Sequence, residues 1–281
     1  MITRFCLICI FLSGTCSIKA QSFLQKADSL LTAGQYLEAG VAYERVLFTE
    51  TSPALRFAAA SGKTQSLKLR GRYTQAIDFL NTQIQQTSTD SLLFQLRQEQ
   101  ILCAYLAGQF ENAISLTDRI AYLHPDLSLS PVTQAVRILS LNELQRWPEA
   151  AAYFKQLAHG AGQDTTLITV YNQLPKLKSV KKAQWLSTFI PGGGQFYAGR
   201  PGEALLSILV QSAGLYFGVV SFMHHYYLSA WGVGAALFGS FHAGGVRRAE
   251  VLVNQYNAKK VNAFNEKLKA QTLQLAGQQK E

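Results

Sequence analysis

Ala33-Gly34-Gln35-Tyr36-Leu37-Glu38-Ala39 decides the fold, because its pattern comes back. Thirty-seven residues later stands Arg70-Gly71-Arg72-Tyr73-Thr74-Gln75-Ala76, then Ala107-Gly108-Gln109-Phe110-Glu111-Asn112-Ala113, then Leu144-Gln145-Arg146-Trp147-Pro148-Glu149-Ala150. Glycine precedes the first three aromatics by two positions, and Gln145 takes that place the fourth time. A period of this size, held without slippage, marks a repeat architecture in which each unit buries its apolar face against its neighbours.

Within each unit the spacing is helical. Ala39, Tyr43 and Leu47 follow Tyr36 at offsets of three and four; Ala76, Leu80 and Ile84 follow Tyr73; Ala150, Phe154 and Leu157 follow Trp147. Such offsets place one apolar stripe on a helix. An apolar run ends before each glycine, which can take the left-handed conformation that closes a helix. The aromatic then leads a second helix, and the small alanine lets its partner approach. Pro125 ends the third unit, and Pro148 suits the first turn of a helix, where no amide donor is lost. These aromatics and alanines read as core residues, not as a cofactor site. The polar run around Gln83-Ile84-Gln85-Gln86-Thr87-Ser88 reads as a link between units.

Over about residues 22–160 this pattern resembles the tetratricopeptide repeat, although its period exceeds the usual ~34 residues. The resemblance implies a right-handed α-solenoid of about four helix pairs. It also implies a concave groove that takes peptides or partner helices and catalyses nothing. No single groove residue is identified by it.

The chain's start reads as a secretory signal peptide over residues 1–20. Arg4 precedes the apolar run Phe5-Cys6-Leu7-Ile8-Cys9-Ile10-Phe11-Leu12, and Ile18-Lys19-Ala20 offers a small residue at the cut. Three of the four cysteines fall inside it, so Cys103 alone remains. One thiol makes neither an internal disulfide nor a zinc site, and its apolar neighbours Ile101 and Leu102 suggest a core position.

The formal net charge of +9 is unevenly placed. From Tyr171 onward there are twelve Lys/Arg against four Asp/Glu, whereas residues 21–170 carry twelve against thirteen. The excess flanks an apolar region, which points to a membrane surface and away from nucleic acid. After the repeat domain (21–165) and a basic linker (166–184) comes Pro191-Gly192-Gly193-Gly194-Gln195-Phe196-Tyr197-Ala198-Gly199-Arg200. Two uncharged runs follow, 204–223 and 228–246, each long enough to cross a bilayer as a helix. Together they predict a transmembrane helical hairpin within a membrane domain, 185–246. Gly214 and Gly218 in the first run, and Gly232, Ala236, Ser240 and Gly244 in the second, offer small faces for close packing of the hairpin or of two copies. Residues 247–281 read as an amphipathic helix and tail.

The 191–200 stretch lacks the lysine and hydroxyl of a phosphate loop. Its Pro191, Gly192, Gly194, Gln195, Tyr197 and Gly199 instead resemble the Pro-Gly-x-Gly-Gln-x-Tyr-x-Gly membrane-entrance motif of small bacterial families with paired spans. In those families a segment like Phe241-His242-Ala243-Gly244-Gly245 and a closing Tyr-Asn, here Tyr256-Asn257, come later. That likeness covers about residues 180–260 and implies membrane residence with a role in envelope biogenesis.

Chemistry is sparse. His224 and His225 are adjacent, His242 lies in an apolar run, and His124 and His159 read as surface positions; no pair has metal spacing. No serine or cysteine sits in a nucleophile motif. Gln211, a polar residue inside a span, is suited to hydrogen bonding across helices. The expectation is therefore an all-α, non-enzymatic protein without cofactor or metal. It would be an exported scaffold in the bacterial inner membrane, its repeats in the periplasm and holding a protein or peptide partner. Two crossings are favoured over three, although they leave Lys181, Lys182, Arg247 and Arg248 outside, against the positive-inside tendency. The alternative is a small oligomeric pore or transport component with the repeats as its docking domain.

Overall fold

The computed structural model describes residues 23–162 and 165–278, and the side chains of 165–168 are not among what it describes. The expected signal segment lies outside those residues. Every regular element among the described residues is helical. They divide into two compact units: Met1–Tyr171 with Leu268–Glu281, and Asn172–Lys267.

In the first unit α1 covers 23–32. It is followed by α2 (Tyr36–Thr49), α3 (Pro53–Leu69), α4 (Tyr73–Gln86) and α5 (Asp90–Leu106). Next come α6 (Phe110–Leu123), α7 (Pro131–Glu143) and α8 (Trp147–Gly160), and a 3-10 turn at Thr165–Asn172. The four repeated aromatics each open a helix, and all four of those helices are 14 residues long. Of the helices between them, α3 and α5 run to 17 residues and α7 to 13. Helices adjacent in sequence pack together from α2 to α8, and α5 also touches α3 and α7.

One turn closes each of the four helices that precede an aromatic. Gly34, Gly71 and Gly108 have φ of 78°, 68° and 74°, and Gln145 adopts the same left-handed conformation at 58°. At each, the amide of that residue bonds back three positions and the next amide five, as in Gly71 to Lys68 (3.0 Å) and Arg72 to Leu67 (2.9 Å). That pair of bonds is the Schellman closure, which satisfies carbonyls the helix end would orphan. The sequence pattern thus maps onto one backbone event recurring every 37 residues.

Ala39, Ala76, Ala113 and Ala150 are wholly buried. Trp147 is buried, while Tyr36, Tyr73 and Phe110 are half-buried. The core around them includes Tyr43, Leu80, Phe94 and Ile101. Cys103 is buried there as expected, and burial pushes its thiol up to about 11. Tyr43 lies across α3 where a Cβ on Gly62 would come within 2.3 Å of its ring, and its hydroxyl donates to Asp28 Oδ1 at 2.6 Å. Two local expectations are corrected. Only the end of the polar run at Gln83 is a link: α4 continues to Gln86 with Gln83 facing inward, 9% exposed, and Thr87-Ser88 lie between α4 and α5. His124 is not a free surface group but half-buried edge-on to Phe94, with 5.7 Å between ring centroids.

The second unit holds α9 (Val180–Phe189), α10 (Gly193–Ala198), α11 (Pro201–Met223), the single turn α12 (Tyr227–Ser229), a π-helical stretch Ala230–Ala235, and α13 (Ala236–Gln278) as far as Lys267. Among the described residues α11 is the one helix long and apolar enough to cross a membrane. The second apolar run is shared by α12, the π stretch and the start of α13, which continues through Arg247 and Arg248 without a break. From Leu268 onward α13 belongs to the first unit, where Leu268, Thr272 and Leu275 are buried.

Candidate functional site

The glycine-rich stretch folds as a pair of tight corners around a single short helix. Gly192 (φ 76°) turns the chain out of α9, and Gly199 (φ 87°) turns it into α11, where Pro201 occupies the first turn. Gly194 is required for a different reason. A Cβ there would lie 2.3 Å from the Ala183 carbonyl and from Ser187 Oγ, and 2.5 Å from Ala249 Cβ. The backbone of α10 is therefore wedged between α9 and α13, and only glycine fits.

That wedge delivers Gln195 into the interior, 2% exposed. Its Nε2 donates to the Gly245 carbonyl of α13 at 3.0 Å, and its Oε1 accepts from Ser187 Oγ at 3.3 Å. Ser187 Oγ in turn accepts from the Gly194 amide at 3.0 Å. One turn along α11 from Ser207 sits Gln211, also 2% exposed. Its Nε2 donates to Ser207 Oγ at 2.8 Å, and its Oε1 lies 3.2 Å from His242 Nδ1, so the proton of that bond sits on Nδ1. A Cβ on Gly245 would be 3.5 Å from both Gln195 Nε2 and Ser207 Oγ and 3.6 Å from Gln211 Nε2. Three polar side chains from α10 and α11 thus converge on one glycine of α13.

Beside this cluster lies an open cavity of about 440 Å³, with Gln195, Ser207 and Gly245 on its polar side and Leu206 and Phe241 on its apolar side. An ion pair stands at its margin: Arg248 donates from Nε to Glu203 Oε2 at 2.7 Å and from the terminal guanidinium nitrogen to Oε1 at 3.0 Å. The two-pronged geometry fixes both side chains.

Tyr197 and the Tyr256-Asn257 pair, far apart in sequence, meet around Lys178. Asn257 Nδ2 donates to the Lys178 carbonyl and its Oδ1 accepts from the Lys178 amide, both at 2.8 Å. Tyr197 Oη accepts from the Ser179 amide at 3.1 Å. Lys178 Nζ lies 4.0 Å from the centre of the Tyr256 ring, and Lys182 Nζ lies 5.4 Å from that of Tyr197. Both distances are within cation–π range. Pro191 is half-buried at the first corner.

The remaining histidines do not join the cluster. His225, at φ 62°, forms the turn after α11 and pairs through Nδ1 with the Tyr227 hydroxyl at 2.8 Å. No group of three or more His, Cys, Asp or Glu able to hold a metal occurs among the described residues. The arrangement offers amides, hydroxyls and one imidazole as hydrogen-bonding groups. Sequence reasoning singled out Gln195, Gln211 and Gly245 but not Ser187, Ser207 or the Glu203–Arg248 pair. The four-residue spacing of Ser207 and Gln211 was the available signal.

No protein-family model, no curated protein and no solved structure matches the chain.

Proposed function

We propose that the chain is a membrane-anchored interaction scaffold: an exported α-solenoid of tetratricopeptide-like units that holds a protein or peptide partner, tethered by a transmembrane helical hairpin. The observation that carries this reading is the exposure of α11. Only 17% of its most apolar stretch is buried, leaving Leu205, Leu209, Tyr216, Phe222 and Met223 more than half exposed. A core helix of a water-soluble protein would bury those groups, and leaving them in water costs about 25 cal/mol per Å². A bilayer removes that cost. The interior hydrogen bonds of Gln195, Gln211 and His242 fit the same solvent, since lipid offers no partner to a polar group. Tyr226, Tyr227 and Trp231 at the far turn, and Lys178 and Lys182 with Tyr197 and Tyr256 at the near end, suit the two interfaces.

The recurring turns and the shared packing of α3, α5 and α7 support the solenoid. We place the repeats in the periplasm of a bacterium and the hairpin in its inner membrane. Membrane residence is tested by alkaline carbonate extraction of the full chain from its host; release into the supernatant overturns it. Reporter fusions at Leu157 and at the C-terminus test the side, and a cytoplasmic signal at Leu157 overturns the placement. Proximity labelling from the repeats of the membrane-bound chain tests the scaffold, and labelling no stronger than that of the unfused label sinks it.

A further inference from the structure

Both α4 and α6 pack on α5, and a cleft of about 70 Å³ between them is lined by Arg97 and Gln100 of α5, Asn81 of α4 and Arg119 of α6. Gln100 Nε2 donates to Asn81 Oδ1 at 2.6 Å, so these amides are engaged with each other. The guanidiniums are not so provided. Arg97 Nε is buried without a hydrogen-bond partner, and no carboxylate among the described residues lies within 4.0 Å of Arg97 or Arg119. The charge that acts on Arg97 is a like one. Burial first, and then Arg119, hold its pKa below the ordinary guanidinium value.

Three other arginines of this unit have partners for part of their guanidinium, and Arg137 Nε is likewise buried without one. Arg137 has Asp118 and the ring of Tyr153, Arg146 has Glu149, and Arg56 donates to the Leu47 carbonyl. A buried donor left unpaired costs about 1–3 kcal/mol, and two neighbouring cations without an anion add repulsion. Both costs vanish if an anion occupies the cleft.

We propose that this cleft binds a small tetrahedral oxyanion of the phosphate type, held between the Arg97 and Arg119 guanidiniums. Two unmatched positive charges suit a group that carries nearly two negative ones. The planar fork of each arginine matches two phosphate oxygens at once, and the cleft is small, about 70 Å³. Free phosphate and a phosphate monoester present the same chemistry.

The test is thermal unfolding of the detergent-purified full chain, followed by tryptophan fluorescence at constant ionic strength. The probes are inorganic phosphate, glycerol 1-phosphate and acetate. A saturable rise in Tm with phosphate alone assigns the site to the free ion, and a rise at equal or lower concentration with glycerol 1-phosphate assigns it to an esterified group. Arg119→Gln, at an exposed position, should leave the unliganded Tm unchanged or raised, because a repulsion is removed. It should also weaken phosphate binding by about tenfold or more, through loss of a charge-assisted pair. Arg97→Gln should abolish the response. No saturable rise, an equal rise in both variants, or an equal response to acetate overturns the proposal.

Discussion

A Cβ placed on Gly234 would lie 2.3 Å from the Cα of Gly218, so α11 and the π stretch touch backbone to backbone. Gly214 supports the same contact, facing Leu237 and Phe238. The stripe expected to share it does not: Gly232, Ala236, Ser240 and Gly244 are all exposed. The reason is angular. Successive helical residues turn by about 100°, so positions two away from Gly234 fall on the opposite side. Gly234→Val should therefore push the π stretch away from α11 and lower the Tm of the detergent-purified protein. Gly232→Leu should leave that Tm unchanged and, with Ala236→Leu, reduce the yield of cross-linked oligomer in membranes. An unchanged yield would remove self-association through the outer stripe.

Gln145 holds a left-handed backbone that glycine holds in the other three units. For an L side chain that conformation costs about 1–2 kcal/mol. Gln145→Gly should therefore raise the urea midpoint, while Gly71→Ala, at φ 68°, should lower it by a comparable amount. Equal midpoints for all three proteins would show that the turn carries no strain.

The alanine that follows each aromatic has no room to grow. Ala76 is wholly buried, as are its three counterparts, and Ala76→Leu should cost about 1–3 kcal/mol by overpacking. Leu80→Ala, a few residues along α4, should cost about 2–5 kcal/mol by leaving a cavity. Chemical denaturation monitored by circular dichroism distinguishes both from an exposed control such as Tyr122→Ala, which should stay near wild type.

Cys103 is buried, and its thiol is held near 11 against an ordinary value of 9.0. It should resist maleimide at neutral pH in the native protein and react at once in denaturant. Between pH 9 and about 11 the unfolded thiol has lost its proton while the folded one keeps it. Stability from this group is thus intact below pH 9 and falls as pH rises through that window. Cys103→Ser would remove this part of the alkaline destabilisation, and an unaltered pH profile would refute its origin in the thiol.

Gln195 ties α10 to α13 through the Gly245 carbonyl. Gln195→Leu should destabilise by about 1–3 kcal/mol, since it orphans a buried acceptor. Gln211→Leu should cost less, about 0.6–1.7 kcal/mol, the range for a polar contact between helices in the bilayer proposed above. The order of the two Tm values is the readout, and the reverse order would place the brace at His242 instead.

Helix starts in the first unit were readable residue by residue: Tyr36, Tyr73, Phe110 and Trp147 each begin a helix because a closing turn precedes them and an alanine follows three positions on. Local rules governed those outcomes. The inward turn of Gln83 was hidden, because its neighbours are polar and only α4's packing decides which side faces in. At the glycine-rich stretch the residues were visible but their partners were not. Gln195 meets Gly245, and Lys178 meets Asn257, across 50 and 79 residues respectively.

By itself, then, the chain's order of residues determined an all-helical protein, the period of its first half and the places where helices close. These depend on contacts within a few positions, which a linear reading contains. Only tertiary structure decided that Gly234 and not Gly232 meets α11, that Gly245 gathers three polar side chains, and that Arg97 and Arg119 line one cleft. Those outcomes depend on which faces of separate helices turn toward each other, and that is settled by packing the whole unit at once.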